Sequence, residues 1–157
     1  EAGREDFEVN SCFYKPLPQR FRGAFPKIVK YLTKEQILLI HSLVIDETAG
    51  MHGVRDLGVI VGLEDTLKQK VFGKELYPTP FLKAAVYARN IIMYHPFLDG
   101  NKRTGMTSAS VFLEDNGYVF IGREGDIEKF AVKIIHEKLD YGDIADWFAK
   151  HSKKIKK

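Results

Sequence analysis

The sequence predicts a mainly α protein that forms a single domain. Its 157 residues are 45% hydrophobic, which is the size and apolarity of one compact domain with its own core. Apolar residues recur at helical spacing in segments that begin at capping residues and end near glycine or asparagine. These segments predict about six helices, with one short β element and no internal repeat.

The first predicted helix begins after Thr33, because Thr33 and Gln36 have the spacing of a capping box, and it ends before Gly50. The turn "GMHGVRDLG" follows. Asp56 is a candidate cap for a short helix, and "LEDTLKQKVFG" predicts another that ends at Gly73.

Two longer helices are predicted in the middle of the chain. Thr79 and Pro80 are a cap and first-turn pair for "TPFLKAAVYARNIIMY", whose apolar composition predicts a buried central helix. The next helix ends at the "NG" of residues 116–117, and "YVFIG" after it is β-prone. Asp126 and Asp143 are candidate caps of two closing helices.

Charge and composition narrow the function classes. The net charge of +3 comes from the last eight residues, which hold five lysines, so residues 1–149 carry a net charge of −2 and no nucleic-acid partner is expected. No apolar run is long enough to span a membrane, no leader is evident and Cys12 is the single cysteine, which together predict a cytoplasmic protein. We predict an N-terminal arm at 1–29, a domain at 30–150 and a basic tail at 151–157.

The stretch "HPFLDGNKRTG", residues 95–105, predicts an anion-binding site. A helix start presents unpaired N–H groups, and Gly100 lets the backbone approach a ligand closely. Lys102 and Arg103 add positive charge suited to phosphate oxygens, while Asn101 either fixes the loop or donates a further hydrogen bond. Positive charge at a helix start is otherwise disfavoured by the helix dipole.

The same stretch supplies a candidate metal ligand and a candidate base. Asp99 beside a phosphate implies a cation between the two anions, and Mg²⁺ is commonly held by one carboxylate and phosphate oxygens. His95 is suited to take a proton near neutral pH, and Phe97 is expected to anchor the loop in the core. A plain connector with Asp99 as a helix cap is the structural alternative, and a zinc site lacks a third ligand at suitable spacing.

These residues resemble the signature of the Fic/Doc superfamily, His-x-Phe-x-Asp/Glu-Gly/Ala-Asn-Lys/Gly-Arg, at all of its specified positions. The resemblance runs from about Tyr31 to Phe148. It implies a Fic/Doc-type helical bundle with a short β flap or hairpin, and ATP with Mg²⁺ at the site. By this resemblance His95 is the base, Asp99 holds Mg²⁺, and residues 100–103 bind the nucleotide phosphates.

Departures from the Fic pattern favour the Doc toxins. Lys102 stands where Fic enzymes have glycine, and Met106 stands where they have a second arginine. The resemblance to Doc implies transfer of the γ-phosphoryl group of ATP to a protein hydroxyl, the family target being a threonine of elongation factor Tu. Gly100 is Fic-like, which leaves transfer of AMP to a Ser, Thr or Tyr hydroxyl as the alternative.

The resemblance also implies partners. The segment "FGKELYP" takes the place of a flap that aligns the target, with Lys74, Glu75, Leu76 and Tyr77 as candidate docking residues; a plain surface loop is the other interpretation. The family's inhibitory pattern, Ser/Thr-x-x-x-Glu-Gly/Asn, is missing, because Phe120 stands four residues before Glu124, where the pattern has Ser or Thr. The resemblance therefore implies a separate antitoxin that binds near the active site. A non-enzymatic helical binding module is a remote alternative. His41 is assigned no chemistry, and Arg55 lies in a family-like turn where an ion pair or a cap also explains it.

Overall fold

The computed structural model describes residues 28–155, which fold into six helices and two small antiparallel sheets. The helices are α1 (Lys34–Thr48), α2 (Leu57–Leu67), α3 (Pro80–Tyr94), α4 (Asn101–Asp115), α5 (Glu124–His136) and α6 (Tyr141–Lys150). The strands are β1 (Lys70–Val71), β2 (Lys74–Glu75), β3 (Tyr118–Phe120) and β4 (Ser152–Lys154). The mainly α prediction is confirmed, while residues 1–27 of the predicted arm lie outside the described residues. None of the described helices has the length and apolarity needed to cross a membrane.

Helix α3 is the centre of the domain, as its apolar sequence predicts. Thr79 caps it by accepting a hydrogen bond from the Leu82 N–H, and Pro80 occupies its first turn. Most of its side chains are buried, and it packs against α2, α4 and α6. The helix therefore provides a fixed support for the loop that follows it.

Helices α3 and α4 approach each other closely because small residues face one another. Ala88 lies on α3, and Gly105 and Ala109 lie on α4, with all three buried. A Cβ atom at Gly105 would lie 3.0 Å from the Ala88 carbonyl oxygen and 2.9 Å from Cγ1 of Ile92. Gly105, the last residue of the quoted stretch, is therefore explained by helix packing rather than by ligand binding.

The two short helices predicted after Asp56 are one continuous helix followed by a hairpin. Asp56 caps α2 by accepting from the Gly58 N–H, and Gly62 lies inside the helix without ending it. An internal glycine costs a helix about 1 kcal/mol relative to alanine, which the surrounding packing tolerates here. Strands β1 and β2 then pair across a turn in which Phe72 and Gly73 have φ of 51° and 76°. Such two-residue turns with positive φ match the twist of a hairpin.

The predicted caps of the closing helices are wrong by a few residues. Arg123 is the N-cap residue of α5, so Asp126 lies inside its first turn. Asp140 caps α6 by accepting from the Asp143 N–H, which places Asp143 three residues further on. Acidic residues are favourable throughout a first helical turn, so a single sequence does not distinguish the cap from its successors.

Part of the predicted basic tail is a strand. Residues 152–154 form β4, which pairs antiparallel with β3 so that Phe120 lies opposite Ser152 and Tyr118 opposite Lys154. Ser152 is buried, whereas Lys153 and Lys154 are exposed. Pairing with β3 ties this end of the described chain to the residues directly after α4.

We predict that Gly105→Val lowers the free energy of unfolding by roughly 1–3 kcal/mol, because the added carbons overpack the contact between α3 and α4. Chemical denaturation followed by circular dichroism measures this. Gly62→Ala is the matched control, since a Cβ atom there meets nothing within 4 Å and alanine favours the helix by up to about 1 kcal/mol. A Gly105→Val protein as stable as the wild type would contradict the packing argument.

Candidate active site

The loop between α3 and α4 begins and ends with residues in the left-handed conformation. His95 caps α3 with φ 47° and ψ 59°, and Gly100 is the N-cap residue of α4 with φ 77°. The positive φ at Gly100 favours glycine, and a Cβ atom there would lie 2.8 Å from Cδ1 of Ile45, so a larger residue would require the Ile45 side chain to shift. A positive φ is uncommon for residues other than glycine, although histidine tolerates it better than most. The His95 side chain is exposed at this end of the loop.

Phe97 and Asn101 hold the middle of this loop. Phe97 is 1% exposed, in the place predicted for the loop anchor. The Asn101 side chain accepts a hydrogen bond from the Phe97 N–H (2.9 Å) and donates one to the Phe97 carbonyl (3.0 Å). Of the two roles predicted for the Asn101 side chain, the structure therefore favours fixing the loop over contacting a phosphate. The Asn101 backbone N–H remains one of the unpaired donors in the first turn of α4.

Asp99 is exposed, yet its carboxylate is held by two backbone donors. Oδ1 accepts from the Gly100 N–H (2.8 Å) and Oδ2 from the Met51 N–H (3.0 Å). These hydrogen bonds, the one from Met51 first, hold the pKa of the Asp99 carboxyl below its ordinary value. Asp99 does not cap α4, whose start has no side-chain cap at all. The carboxylate is thus ionised and oriented near neutral pH.

His41 supports the loop from α1, which the sequence analysis did not anticipate. It is buried, its Nε2–H donates to the Asp99 carbonyl oxygen (2.8 Å), and its ring stacks on Phe97 with centroids 3.7 Å apart. One sequence signal was available: His41 lies four residues from both Ile37 and Ile45 on the buried face of α1. A polar residue inside an apolar stripe indicates a buried hydrogen bond.

Arg55 holds the other end of the loop. Its guanidinium donates to the carbonyl oxygens of Tyr94 (2.6 Å) and His95 (2.7 Å), the last residue of α3 and its cap. The backbone beside it adds hydrogen bonds from Arg55 N–H and Asp56 N–H to the Pro96 carbonyl. Neither a mutual ion pair nor a helix cap explains Arg55, whereas Asp56 is the cap of α2.

A pocket of about 900 Å³ opens beside this loop. Its walls come from α1, the loop, α4 and α5, and include Val44, Thr48, His95, Leu98, Asp99, Gly100, Asn101, Lys102, Arg103, Met106, Thr107, Gly122, Glu124, Ile127, Glu128 and Ala131. Every residue predicted from the motif except the buried Phe97 therefore borders one space. The buried Met106 lines its apolar side, and Glu124 and Glu128 lie on the α5 wall.

The two basic residues of the motif differ in their surroundings. Both are exposed on the first turn of α4, but Arg103 pairs with Glu47 of α1 at 3.2 Å while both side chains remain in contact with solvent. Such surface ion pairs contribute about 0–1 kcal/mol, so Arg103 can exchange Glu47 for a phosphate at little cost. Among residues 28–155, no group of three or more His, Cys, Asp or Glu side chains is placed to hold a metal ion. A metal ion at this site would therefore need oxygen ligands from a bound anion in addition to those that the protein supplies.

The predicted flap residues divide into two kinds. Lys74 and Leu76 are exposed on or beside β2. Glu75 pairs with Nζ of Lys83, a lysine on α3 whose side chain is 2% exposed. Tyr77 is buried and packs edge-on against Tyr141. Tyr77 therefore anchors the hairpin, and the docking role of this segment stays a prediction.

Fold, loop and pocket together define a helical protein built around an HPFLDGNKRTG loop, and the sequence profile of the Fic/DOC family matches residues 31–113. The chain belongs to the Fic/DOC family. It is 30% identical over 102 residues to a protein named "Toxin Doc" from Mycolicibacterium smegmatis, covering 65% of this chain and 75% of that one. It is 28% identical over 89 residues to "Protein kinase doc" of Escherichia phage P1, covering 57% and 70%.

We predict that Asp99→Asn makes stability less sensitive to acid. Because the folded-state pKa of Asp99 lies below its ordinary value of 3.8, its contribution is fully present above pH 3.8 and is lost as pH falls through the lower folded pKa. Unfolding free energies measured between about pH 2 and 6 check this, and the slope for the variant is expected to be shallower. Equal slopes would show that the Met51 and Gly100 N–H groups do not hold the carboxylate.

Proposed function

We propose that this protein is a Doc-like toxin that transfers the γ-phosphoryl group of ATP to a hydroxyl of a target protein. The observation that carries the proposal is that His95, Asp99 and the uncapped start of α4 border one pocket. The names of the two similar proteins, a toxin and a protein kinase, support the same activity. Phosphoryl transfer depends mainly on positioning and on neutralising phosphate charge, and the residues around this pocket would provide both.

The start of α4 would bind the phosphates. Its unpaired N–H groups and the positive end of the helix dipole favour an anion, and no side chain within residues 28–155 caps them. Lys102 and Arg103 add two charges on the same turn, with Arg103 leaving Glu47 when the ligand binds. Gly100 borders the pocket, and glycine suits its positive φ, where a Cβ atom would approach Cδ1 of Ile45 to 2.8 Å.

Asp99 would hold Mg²⁺ together with phosphate oxygens. Its two carboxylate oxygens each accept one backbone N–H and retain lone pairs, and the side chain is exposed at the pocket. One oxygen ligand plus phosphates is a common Mg²⁺ environment, so the residues fit the ion. When bound, Mg²⁺ would neutralise phosphate charge.

His95 would act as the base. Its exposed side chain can accept the proton of the acceptor hydroxyl while that oxygen bonds to the γ-phosphorus and the bond from phosphorus to the β–γ bridging oxygen breaks. ADP is the leaving group. The proton passes to the His95 imidazole, so the products are the phosphorylated target, ADP and a protonated histidine.

The proposed target protein and the proposed antitoxin are those that the resemblance to Doc toxins implies. We propose that the β1–β2 hairpin docks the target through Lys74 and Leu76, with elongation factor Tu as the first candidate. A separate antitoxin would cover the pocket until it is released, and both encounters would take place in the cytoplasm.

AMP transfer is the second candidate function. The sequence feature that favours it is Gly100, which matches the Fic enzymes. In this structure Gly100 is favoured by its positive φ and by the short distance to Ile45 that a Cβ atom at this position would create. The glycine therefore has an explanation that is independent of the group transferred, whereas Lys102 and Met106 still favour phosphoryl transfer.

We predict that His95→Ala abolishes transfer and growth inhibition while the protein stays folded, because the side chain is exposed and its loss opens no core cavity. Growth after induced expression, together with circular dichroism of the purified variant, measures both effects. The control is His136→Ala, another exposed histidine, at the end of α5 and outside the pocket. Toxicity of a folded His95→Ala variant equal to that of the wild type would contradict the proposed base.

Two labels of ATP identify the transferred group. With Mg²⁺ and elongation factor Tu, label on the γ-phosphate is expected in the protein product and label on the α-phosphate is not. Mass spectrometry of the modified peptide then gives the mass of the added group. Transfer of α-label alone would replace the proposed kinase activity with AMP transfer, and transfer of neither would exclude this target.

A further inference from the structure

We infer that His41 and Arg55, which lie outside the family motif, are positioning residues that set the geometry of the active-site loop from its two ends. We call this pair the loop clamp. The inference rests on the proposed function, because it assigns each residue to one of the two groups that would do the chemistry.

Arg55 acts on the end that carries His95. The left-handed conformation of His95 is intrinsically unfavourable, so other contacts must hold it. Arg55 provides two charge-assisted hydrogen bonds to the carbonyls of Tyr94 and His95, at 2.6 and 2.7 Å. Its side chain is exposed, and no carboxylate pairs with it among the described ion pairs. Arg55 thus fixes the backbone from which the imidazole projects.

His41 acts on the end that carries Asp99. The hydrogen bond from Nε2–H to the Asp99 carbonyl fixes the peptide that follows the carboxylate-bearing residue. Stacking on Phe97 locks the orientation of the His41 ring, since the two planes differ by only 4°. His41 thus fixes the backbone of the residue whose carboxylate accepts hydrogen bonds from the Met51 and Gly100 N–H groups.

The two halves of the clamp predict different kinetic defects. Arg55→Gln is expected to lower kcat about a hundredfold with little change in the KM for ATP, because a displaced base affects the reaction rather than nucleotide binding. His41→Phe keeps an aromatic ring on Phe97 but removes the donor. It is expected to raise the Mg²⁺ concentration needed for half-maximal ATP binding about tenfold, as loss of an outer support of a metal ligand does.

Rescue and control variants separate positioning from simple structural support. Arg55→Lys and His41→Gln retain a donor and are expected to recover part of each loss. Arg89→Gln is the control for Arg55, because Arg89 also donates to a backbone carbonyl, that of Leu139. His151→Phe is the control for His41, because His151 contacts the Trp147 carbonyl and stacks on the Trp147 ring. Both controls lie outside the pocket and are expected to keep wild-type kinetics.

Amide hydrogen exchange tests the clamp without any assay of activity. Phe97 N–H donates to Asn101 and Leu98 N–H donates to the Gly53 carbonyl, so both report on the loop. Exchange at these amides is expected to accelerate in Arg55→Gln and His41→Phe and not in the controls. Unchanged exchange would overturn the clamp. A wild-type protein that transfers nothing would overturn only the proposed function, and wild-type kcat and Mg²⁺ dependence in both variants of an active enzyme would overturn the assignment of positioning roles.

Discussion

The close packing of α3 against α4 is the contact on which the rest of the structure depends. Gly105 lets the two helices approach until side chain and backbone touch, so the six residues between them must reverse direction in a short span. The connecting loop has a residue in the left-handed conformation at each end, His95 and Gly100. It also brings the end of one buried helix and the uncapped start of another to a single pocket, where a helix dipole is free to act on a ligand.

Local signals explain which parts of the fold could be predicted. The capping box at Thr33 and the Thr79–Pro80 pair placed the starts of α1 and α3 correctly, because a cap depends on residues within one turn. The single helix α2 and the strand β4 were missed, since each depends on distant packing. A glycine such as Gly62 in α2 is typical of a helix end, and a lysine-rich segment is typical of a solvated tail. Only the pairing with β3 makes residues 152–154 a strand.

The motif was a reliable guide to the residues around the pocket and a poor guide to what holds them. The spacing predicted a base, a carboxylate and an anion site within eleven residues, and the residues named for these roles do line one pocket. The sequence left the use of the Asn101 side chain open, and its two hydrogen bonds to Phe97 favour a role in fixing the loop. Contacts from His41 and Arg55 span 58 and 40 residues, and no local pattern states which carbonyl a distant donor reaches.

The buried lysine beneath the β1–β2 hairpin limits how that hairpin can move. Nζ of Lys83 reaches the Leu67 carbonyl and Glu75, both at 3.3 Å, and lies almost wholly out of solvent. The Glu75 side chain is 42% exposed, so solvent screens this ion pair, but the buried ammonium still keeps the base of the hairpin next to the core. A polypeptide that docked at this hairpin would meet a base that is fixed to the core, so most of the conformational adjustment on binding would have to come from that polypeptide.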